Sequence, residues 1–110
     1  NGGVVIKHNA NQKYTTDAVS CAIFSEVCRQ AGVPVQHFAN RSDVLGGSTL
    51  GNIANTHISM NTVDIGLAQL AMHSSYETAG CDDVDYMIRA LSRLYTANIV
   101  MQADGAFVIE

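Results

Sequence analysis

The 110-residue sequence lacks long apolar runs, basic stripes and all but one proline, and each absence excludes a class of protein. Apolar residues make up 47% and charged residues 15%, a composition typical of one globular domain and not of a disordered chain. No apolar run reaches the roughly 18 residues of a membrane span, and nothing resembles a signal peptide. Six basic against ten acidic residues leave no positive stripe for phosphates. We therefore predict neither a membrane nor a nucleic-acid partner.

Cysteine is also scarce, and its number is odd. The sequence contains only Cys21, Cys28 and Cys81, with no C-x-x-C pair. This pattern indicates neither a disulfide framework nor a zinc knuckle, and it is compatible with a reducing, cytoplasmic compartment. Cys21 and Cys28 lie seven residues apart on one side of a predicted helix, so we interpret both as small core residues.

The first forty residues show a strand, a helix and a second strand. The β-branched run from Val4 to Ile6 predicts a strand that continues to about His8. A helix is predicted to begin near Thr16 and Asp17 and to stop before Gly32 and Pro34. Residues 35–39 form the second predicted strand.

The remaining sequence continues the alternation. Ser48 or Thr49 is predicted to cap a short helix that runs to about residue 57, and residues 62–66 form a third predicted strand. A long helix follows over about residues 82–96, and the Asp104-Gly105 pair predicts a final hairpin. The apolar face of the long helix comprises Val84, Met87, Ile88, Leu91, Leu94 and Tyr95.

Alternating strands and helices predict an α/β fold with a mostly parallel sheet. Ligands of open parallel sheets collect beyond the carboxyl ends of the strands. Lys7 and His8 close the first predicted strand, residues 40–49 follow the second, and the loop with His73 follows the third. We therefore expect the polar side chains of these segments to converge at one sheet edge.

His73 follows an apolar run in "GLAQLAMHSSYETAG", residues 66–80, and has two interpretations. A neutral imidazole is a good zinc ligand, and a loop at a sheet edge presents it well. One histidine is not a metal site, however, and His37 and His57 lack tight ligand spacing to it. A packing or capping role therefore remains open from the residues alone.

Three further features carry similar alternatives. The run from Gly46 to Gly51 could cradle an anion with its backbone N–H groups, or form a tight turn before a helix. It lacks the lysine of a phosphate-binding loop. Lys7 could recognise a carboxylate or extend into solvent. Asp64, inside an apolar strand, needs a hydrogen-bonding partner or an exposed edge.

Three ordered blocks carry a more specific signal: "VVIKHNANQKYTTDA", "FANRSDVLGGSTLGNI" and "TVDIGLAQLAMHSS". In order and spacing they resemble the C-terminal segment of the aspartyl aminopeptidase family, over about residues 4–96. The resemblance implies a zinc exopeptidase with a three-layer αβα catalytic domain, of which residues 1–110 would be the C-terminal part. It also implies a peptide substrate and a homo-oligomer, a tetrahedral dodecamer in the family.

The resemblance assigns roles to five residues. His73 aligns with a zinc ligand in the family's "QLAMHS" motif, and Lys7 with a strand lysine placed to meet an acidic substrate side chain. Gly47, Ser48 and Thr49 align with a loop near the substrate. The family uses two zinc ions per active site, and its other ligands and general base lie upstream of the matching blocks. No catalytic residue is therefore assigned within these 110 residues.

The sequence also departs from the family pattern. Leu45, Gly46 and Asn52 replace Pro, Cys and Pro around the glycine loop, and Tyr76 stands where an Arg follows the zinc histidine. We expect the segment by itself to be inactive, to bind zinc weakly and to self-associate through exposed apolar edges. A non-catalytic α/β module and a metallo-aminopeptidase for neutral residues remain alternatives.

Overall fold

The computed structural model describes residues 1–110 as a mixed α/β chain of three helices and seven short strands. The elements, in chain order, are β1 (Val4–His8), α1 (Ala18–Gln30), β2 (Val35–Ala39), α2 (Leu50–His57), β3 (Ile65–Gly66), β4 (Gln69–Leu70), β5 (Thr78–Ala79), α3 (Cys81–Thr96), β6 (Ile99–Met101) and β7 (Phe107–Ile109). The predicted α/β class is confirmed. No helix is both long and apolar enough to cross a membrane.

The central sheet has the order β2-β1-β3. β1 and β2 are parallel, as the sequence predicts. In the observed register Val4 lies opposite Val35. β3 runs antiparallel to β1, so the prediction of a mostly parallel sheet is wrong for the third strand. β3 is also shorter than the predicted range 62–66, because the Asp64 N–H donates to the Thr16 hydroxyl at 2.8 Å instead of to a strand.

Helix α1 is fixed at both ends by its own sequence. The Asp17 carboxylate accepts from the Ser20 N–H at 2.7 Å, and the Ser20 hydroxyl accepts from the Asp17 N–H at 3.0 Å, a capping box. At the other end Gly32 has φ +64°, its N–H donates to the Arg29 carbonyl, and the Val33 N–H donates to that of Cys28. This is a Schellman motif, which glycine favours because it lacks a Cβ.

The core lies between one face of the sheet and helices α1 and α3. Its buried members are Val4, Ile6, Phe24, Cys28, Val33 and Ala90. Cys28 is buried and Cys21 packs at the edge of this cluster, which confirms the interpretation of both as core residues. Burial raises the pKa of the Cys28 thiol to about 11, so this thiol stays protonated at neutral pH.

Helix α3 buries a different stripe from the predicted one. Met87 and Leu94 pack against the core, but Val84, Ile88 and Tyr95 are 46%, 59% and 83% exposed. The helix therefore has two apolar stripes, and the chain covers only the one centred on Ala90.

Two hairpins complete the chain. Strands β6 and β7 pair around Gly105, whose φ of +85° suits the turn, so the predicted hairpin is confirmed. The short pair β4 and β5, which the sequence did not reveal, encloses residues 71–77. His73 thus lies in a loop whose two ends are hydrogen-bonded to each other.

Candidate functional site

A cleft of about 670 Å³ brings together all five residues assigned from the sequence. These residues are Lys7, Gly47, Ser48, Thr49 and His73. Side chains alternate between the two faces of a strand, so Lys7 lies on the face opposite the buried Ile6. The cleft therefore occupies the face of the sheet that α1 and α3 leave uncovered.

The route by which His73 reaches the cleft differs from the prediction. Because β3 is antiparallel, its carboxyl end at Gly66 lies beside Val5 and not at the carboxyl edge of β1. The following residues Leu67, Ala68, Gln69 and Met72 line the cleft and lead the chain to His73. The predicted convergence is therefore confirmed only for Lys7, residues 47–49 and His73: His8 and residues 40–46 line a separate cleft, and the parallel third strand given as the reason is wrong.

Lys7 is held in place by Asp64. The Lys7 ammonium lies 3.2 Å from Asp64 Oδ1, with side chains 25% and 9% exposed. The same ammonium lies 5.6 Å from the centre of the Tyr14 ring, within cation–π range. A methyl group on Gly66 would lie 3.0 Å from Lys7 Cε, so the absence of a side chain there leaves room for the lysine.

The glycine loop is tied to the same carboxylate. The Thr49 hydroxyl donates to Asp64 Oδ2 and makes no cap to α2, although Thr49 occupies the predicted N-cap position. The Ser48 hydroxyl accepts from the Asn52 amide at 2.8 Å. Asp64 therefore links the lysine of β1 to the glycine loop. These two contacts are the hydrogen-bonding partners that its position in an apolar segment was predicted to require.

His73 adopts a left-handed backbone conformation, which is uncommon for residues other than glycine. Its φ is +69°, and Ala71 two residues earlier has φ +53°. The His73 N–H donates to Glu77 Oε1 at 2.5 Å, which holds the loop in this shape. Such conformations cost free energy and cluster at functional sites.

The donor chemistry of His73 suits one zinc ligand. Its side chain is exposed, and neither ring nitrogen takes a hydrogen bond within the chain, so a lone pair is available. The structure gathers no group of three histidine, cysteine or carboxylate ligands around it. A zinc ion at His73 would therefore need further donors from polypeptide outside these residues.

Sequence reasoning missed one residue that lines the cleft and one that supports it from outside the lining. Tyr14 lines it beside Lys7, and no local pattern distinguished this tyrosine from a turn residue. Asp64 was assigned a structural role only, yet it contacts both Lys7 and Thr49. The signal that could have found Asp64 was its position, an acid between Val63 and Ile65.

Comparison with known proteins gives a family match over most of the chain. The sequence model of the family described as "Aminopeptidase I zinc metalloprotease (M18)" matches residues 1–95. A probable M18 family aminopeptidase 2 of Clostridium acetobutylicum is 52% identical over 95 residues, which cover 86% of this chain and 22% of the relative. Another of the same name, from Ectopseudomonas mendocina, is 44% identical over 97 residues, or 88% of this chain and 23% of the relative.

Solved structures show the same fold. The chain superposes on the structure titled "Cryo-EM structure of the Ape4 and Nbr1 complex" with a TM-score of 0.84 and 39% identity, covering 86% of this chain and 18% of that one. It superposes on "Crystal structure of prApe1" with a TM-score of 0.82 and 29% identity, covering 86% and 20%. The chain thus spans about a fifth of the length of the proteins it matches.

Proposed function

Because this chain belongs to the aminopeptidase I zinc metalloprotease (M18) family, we propose that it forms the C-terminal part of the catalytic domain of a zinc aminopeptidase. The complete enzyme removes N-terminal residues, preferably acidic ones, from peptides. The 110 residues alone are inactive, because they carry one ligand of the catalytic zinc and no general base.

The observation that carries this proposal is the cleft that joins Lys7, Thr49 and His73. A metal ligand, a cation and a hydroxyl-bearing loop at one cavity are what an exopeptidase needs to hold a peptide end. The three come from separate segments of the chain, so their meeting is a property of the fold and not of sequence proximity.

Each of the five assigned residues has a defined role in the proposed site. Zinc, where bound, polarises the scissile carbonyl and lowers the pKa of a water molecule. His73 donates a lone pair from an imidazole whose loop is fixed by Glu77. Gly47, Ser48 and Thr49 form the wall near the substrate, and Lys7 faces the first side chain of the peptide.

The Lys7–Asp64 contact has two consequences for specificity. An acidic substrate side chain would share the ammonium with Asp64, which remains bonded to Thr49. The lysine then stays positioned but only part of its charge is available. A preference for neutral N-terminal residues is therefore the second candidate, and the balanced charge of this pair is the observation that favours it.

We further propose that the complete enzyme is cytoplasmic and homo-oligomeric. By analogy with the aspartyl aminopeptidase family, the oligomer would be a dodecamer. Its support is the exposed apolar stripe of α3 and the three free cysteines. A non-catalytic module that keeps only the scaffold would leave the loop conformation of His73 without a purpose.

The test is His73→Ala in the full-length protein, with His57→Ala as the matched control because His57 is an exposed helix residue outside the cleft. We expect His73→Ala to lose at least about 100-fold in kcat/KM and part of the bound zinc, since even indirect partners of metal ligands cost 10–100-fold. Full activity and full zinc content in the His73→Ala protein would contradict the proposal and favour the non-catalytic module.

A further inference from the structure

Three further side chains of metal-ligating types form a group that does not include His73. His8, Cys21 and His37 place one ligand atom each within 4.8 Å of one another. His8 Nε2 and His37 Nδ1 are 3.0 Å apart, and their ring centres are separated by 5.3 Å. We propose that these three side chains bind a divalent transition-metal ion, zinc or a similar borderline-soft cation, at a site separate from that of His73.

The fold brings the three together by strand register and helix packing. In the parallel pair of β1 and β2, His37 lies opposite Ile6, so His37 and His8 share the face that α1 covers. Cys21 belongs to the first turns of α1 and packs at the edge of the core. The three side chains therefore meet between the carboxyl half of β1 and β2 and the first turns of α1.

Lys7 and His8 are successive residues of β1, so their side chains point to opposite faces of the sheet. The His73 cleft occupies the Lys7 face, and the cleft of about 880 Å³ that contains His8 and Cys21 does not include Lys7 or His73. His37, on the edge strand β2, borders the His73 cleft as well. The proposed site thus does not depend on the zinc aminopeptidase proposal.

The ligand types favour zinc chemistry. Imidazole and thiolate are the ligands that structural and catalytic zinc sites use, with Zn–N of about 2.0 Å and Zn–S of about 2.3 Å. At tetrahedral angles such bonds place ligand atoms roughly 3.3–3.6 Å apart. The two histidine nitrogens, at 3.0 Å, need to separate by only about 0.3 Å to reach that spacing, and all three ligand atoms already lie within 4.8 Å of one another.

Binding is balanced by the release of one proton. Both imidazoles coordinate in the neutral form, and the Cys21 thiol gives its proton to solvent as the metal–thiolate bond forms. Three protein ligands leave the fourth position to water, which the cleft beside His8 and Cys21 admits. A bound ion would tie α1 to the carboxyl half of β1 and β2.

Cobalt(II) provides the test, because cobalt–thiolate bonds produce a charge-transfer band in the near ultraviolet. Cobalt is added to metal-free full-length protein. We expect the band in the wild type and in Cys81→Ser, whose cysteine is exposed and distant, and its loss in Cys21→Ser. No band in the wild type, or a band that survives Cys21→Ser, would overturn the proposal.

Histidine variants complete the test. His8→Ala and His37→Ala should weaken cobalt binding at Cys21 at least 10-fold, while His57→Ala leaves it unchanged. The band should persist in His73→Ala, so that failure of this site and failure of the zinc aminopeptidase proposal are distinguished. Loss of the band in His73→Ala, or unchanged affinity in both His8→Ala and His37→Ala, would contradict a separate site.

A measurement on the unmodified sequence guards against variants that fail to fold. Zinc should slow the alkylation of Cys21 at least 10-fold, as followed by mass spectrometry, because a coordinated thiolate is shielded from reagents. Cys81 in the same molecule is the internal control and should react at an unchanged rate. Equal rates at Cys21 with and without zinc would overturn the proposal.

Discussion

At the scale of single residues, Asp64 organises the candidate cleft. Its carboxylate contacts the Lys7 ammonium and the Thr49 hydroxyl, and its backbone joins Thr16 and Lys7. Burying a charged carboxylate costs free energy unless its oxygen atoms have partners, and here the ammonium and the hydroxyl supply them. Removing Lys7 would leave this carboxylate without its cation, so a test of substrate preference must separate a change in specificity from a loss of stability.

We predict that Lys7→Met in the full-length enzyme lowers kcat/KM for peptides with an acidic N-terminal residue at least about 10-fold relative to neutral ones, since one charge-assisted hydrogen bond contributes about 1.5–3 kcal/mol. The double variant Lys7→Met/Asp64→Asn removes the unpaired carboxylate and should keep the altered preference. Lys13→Met, at the other lysine, is the control. An unchanged ratio of acidic to neutral rates would favour the neutral-residue alternative.

Asp83 is a buried carboxylate that contributes to how stability responds to acid. It is buried and accepts the Gly3 N–H at 2.8 Å, and this hydrogen bond lowers its pKa below the ordinary 3.8, with a further contact from the Asn1 nitrogen. A lowered folded pKa means that the stabilisation is complete above pH 3.8 and is lost as the pH falls through the lower folded value.

We therefore predict that Asp83→Asn is less stable than the wild type at neutral pH and loses less stability on acidification. Urea denaturation at a series of pH values measures this. Asp85→Asn, at an exposed carboxylate paired with Arg89, is the control and should retain the wild-type slope. If the free energy of unfolding fell equally with pH in the wild type and in Asp83→Asn, the Gly3 contact would not be a cause of the loss of stability in acid.

At the scale of elements, local patterns predicted what local interactions determine. Strand β1 and the turn at Gly105 follow from β-branching and turn chemistry, and α1 follows from Asp17 and Gly32 at its ends. The direction and length of β3 depend on the contact between Asp64 and Thr16, 48 residues apart, which no local pattern contains. Such pairings are fixed by tertiary contacts.

The candidate site divides in the same way. The resemblance supplied His73 and Lys7, whereas the partners that hold them, Asp64 and Glu77, required the structure. The group of His8, Cys21 and His37 was invisible to spacing rules, because its members come from two strands and a helix. Two-residue strands such as β4 carry too few side chains for a periodic signal.

The capping box of α1 yields a prediction at this scale. Asp17→Ala should lower the free energy of unfolding by about 1 kcal/mol, because the Ser20 N–H loses its acceptor. Asp17→Asn retains an acceptor oxygen and should recover most of the loss. Chemical denaturation measures both variants, and equal destabilisation by Ala and Asn would show that the cap is not the cause.

At the scale of the whole molecule, the chain exposes more surface than a self-contained domain. Its accessible surface is 7207 Å², whereas a compact monomer of 11.7 kDa exposes about 5,900 Å². Its radius of gyration is 14.7 Å, against about 13 Å for a compact chain of this length. Large apolar side chains such as Leu45, Leu50 and Leu70 contribute to the excess. Exposed apolar surface of this kind favours association with another protein surface.

We accordingly predict that the isolated 110-residue chain self-associates at micromolar concentration. Replacing Val84, Ile88 and Tyr95 with serine removes the exposed stripe of α3 and should shift the sedimentation coefficient toward the monomer, with little loss of helix content. The matched control replaces Ser92, Thr96 and Asp82 with alanine, on exposed positions of the same helix. A wild-type chain that sediments as a monomer would contradict this prediction.

The proposed function depends most on one imidazole, that of His73, and an anomalous difference map of the full-length protein at the zinc absorption edge tests this role most directly. We predict a peak about 2.0–2.1 Å from a ring nitrogen of His73, at the cleft that Lys7 and Thr49 line. A zinc-loaded crystal in which that ring contacts only solvent or apolar side chains would contradict the proposed function.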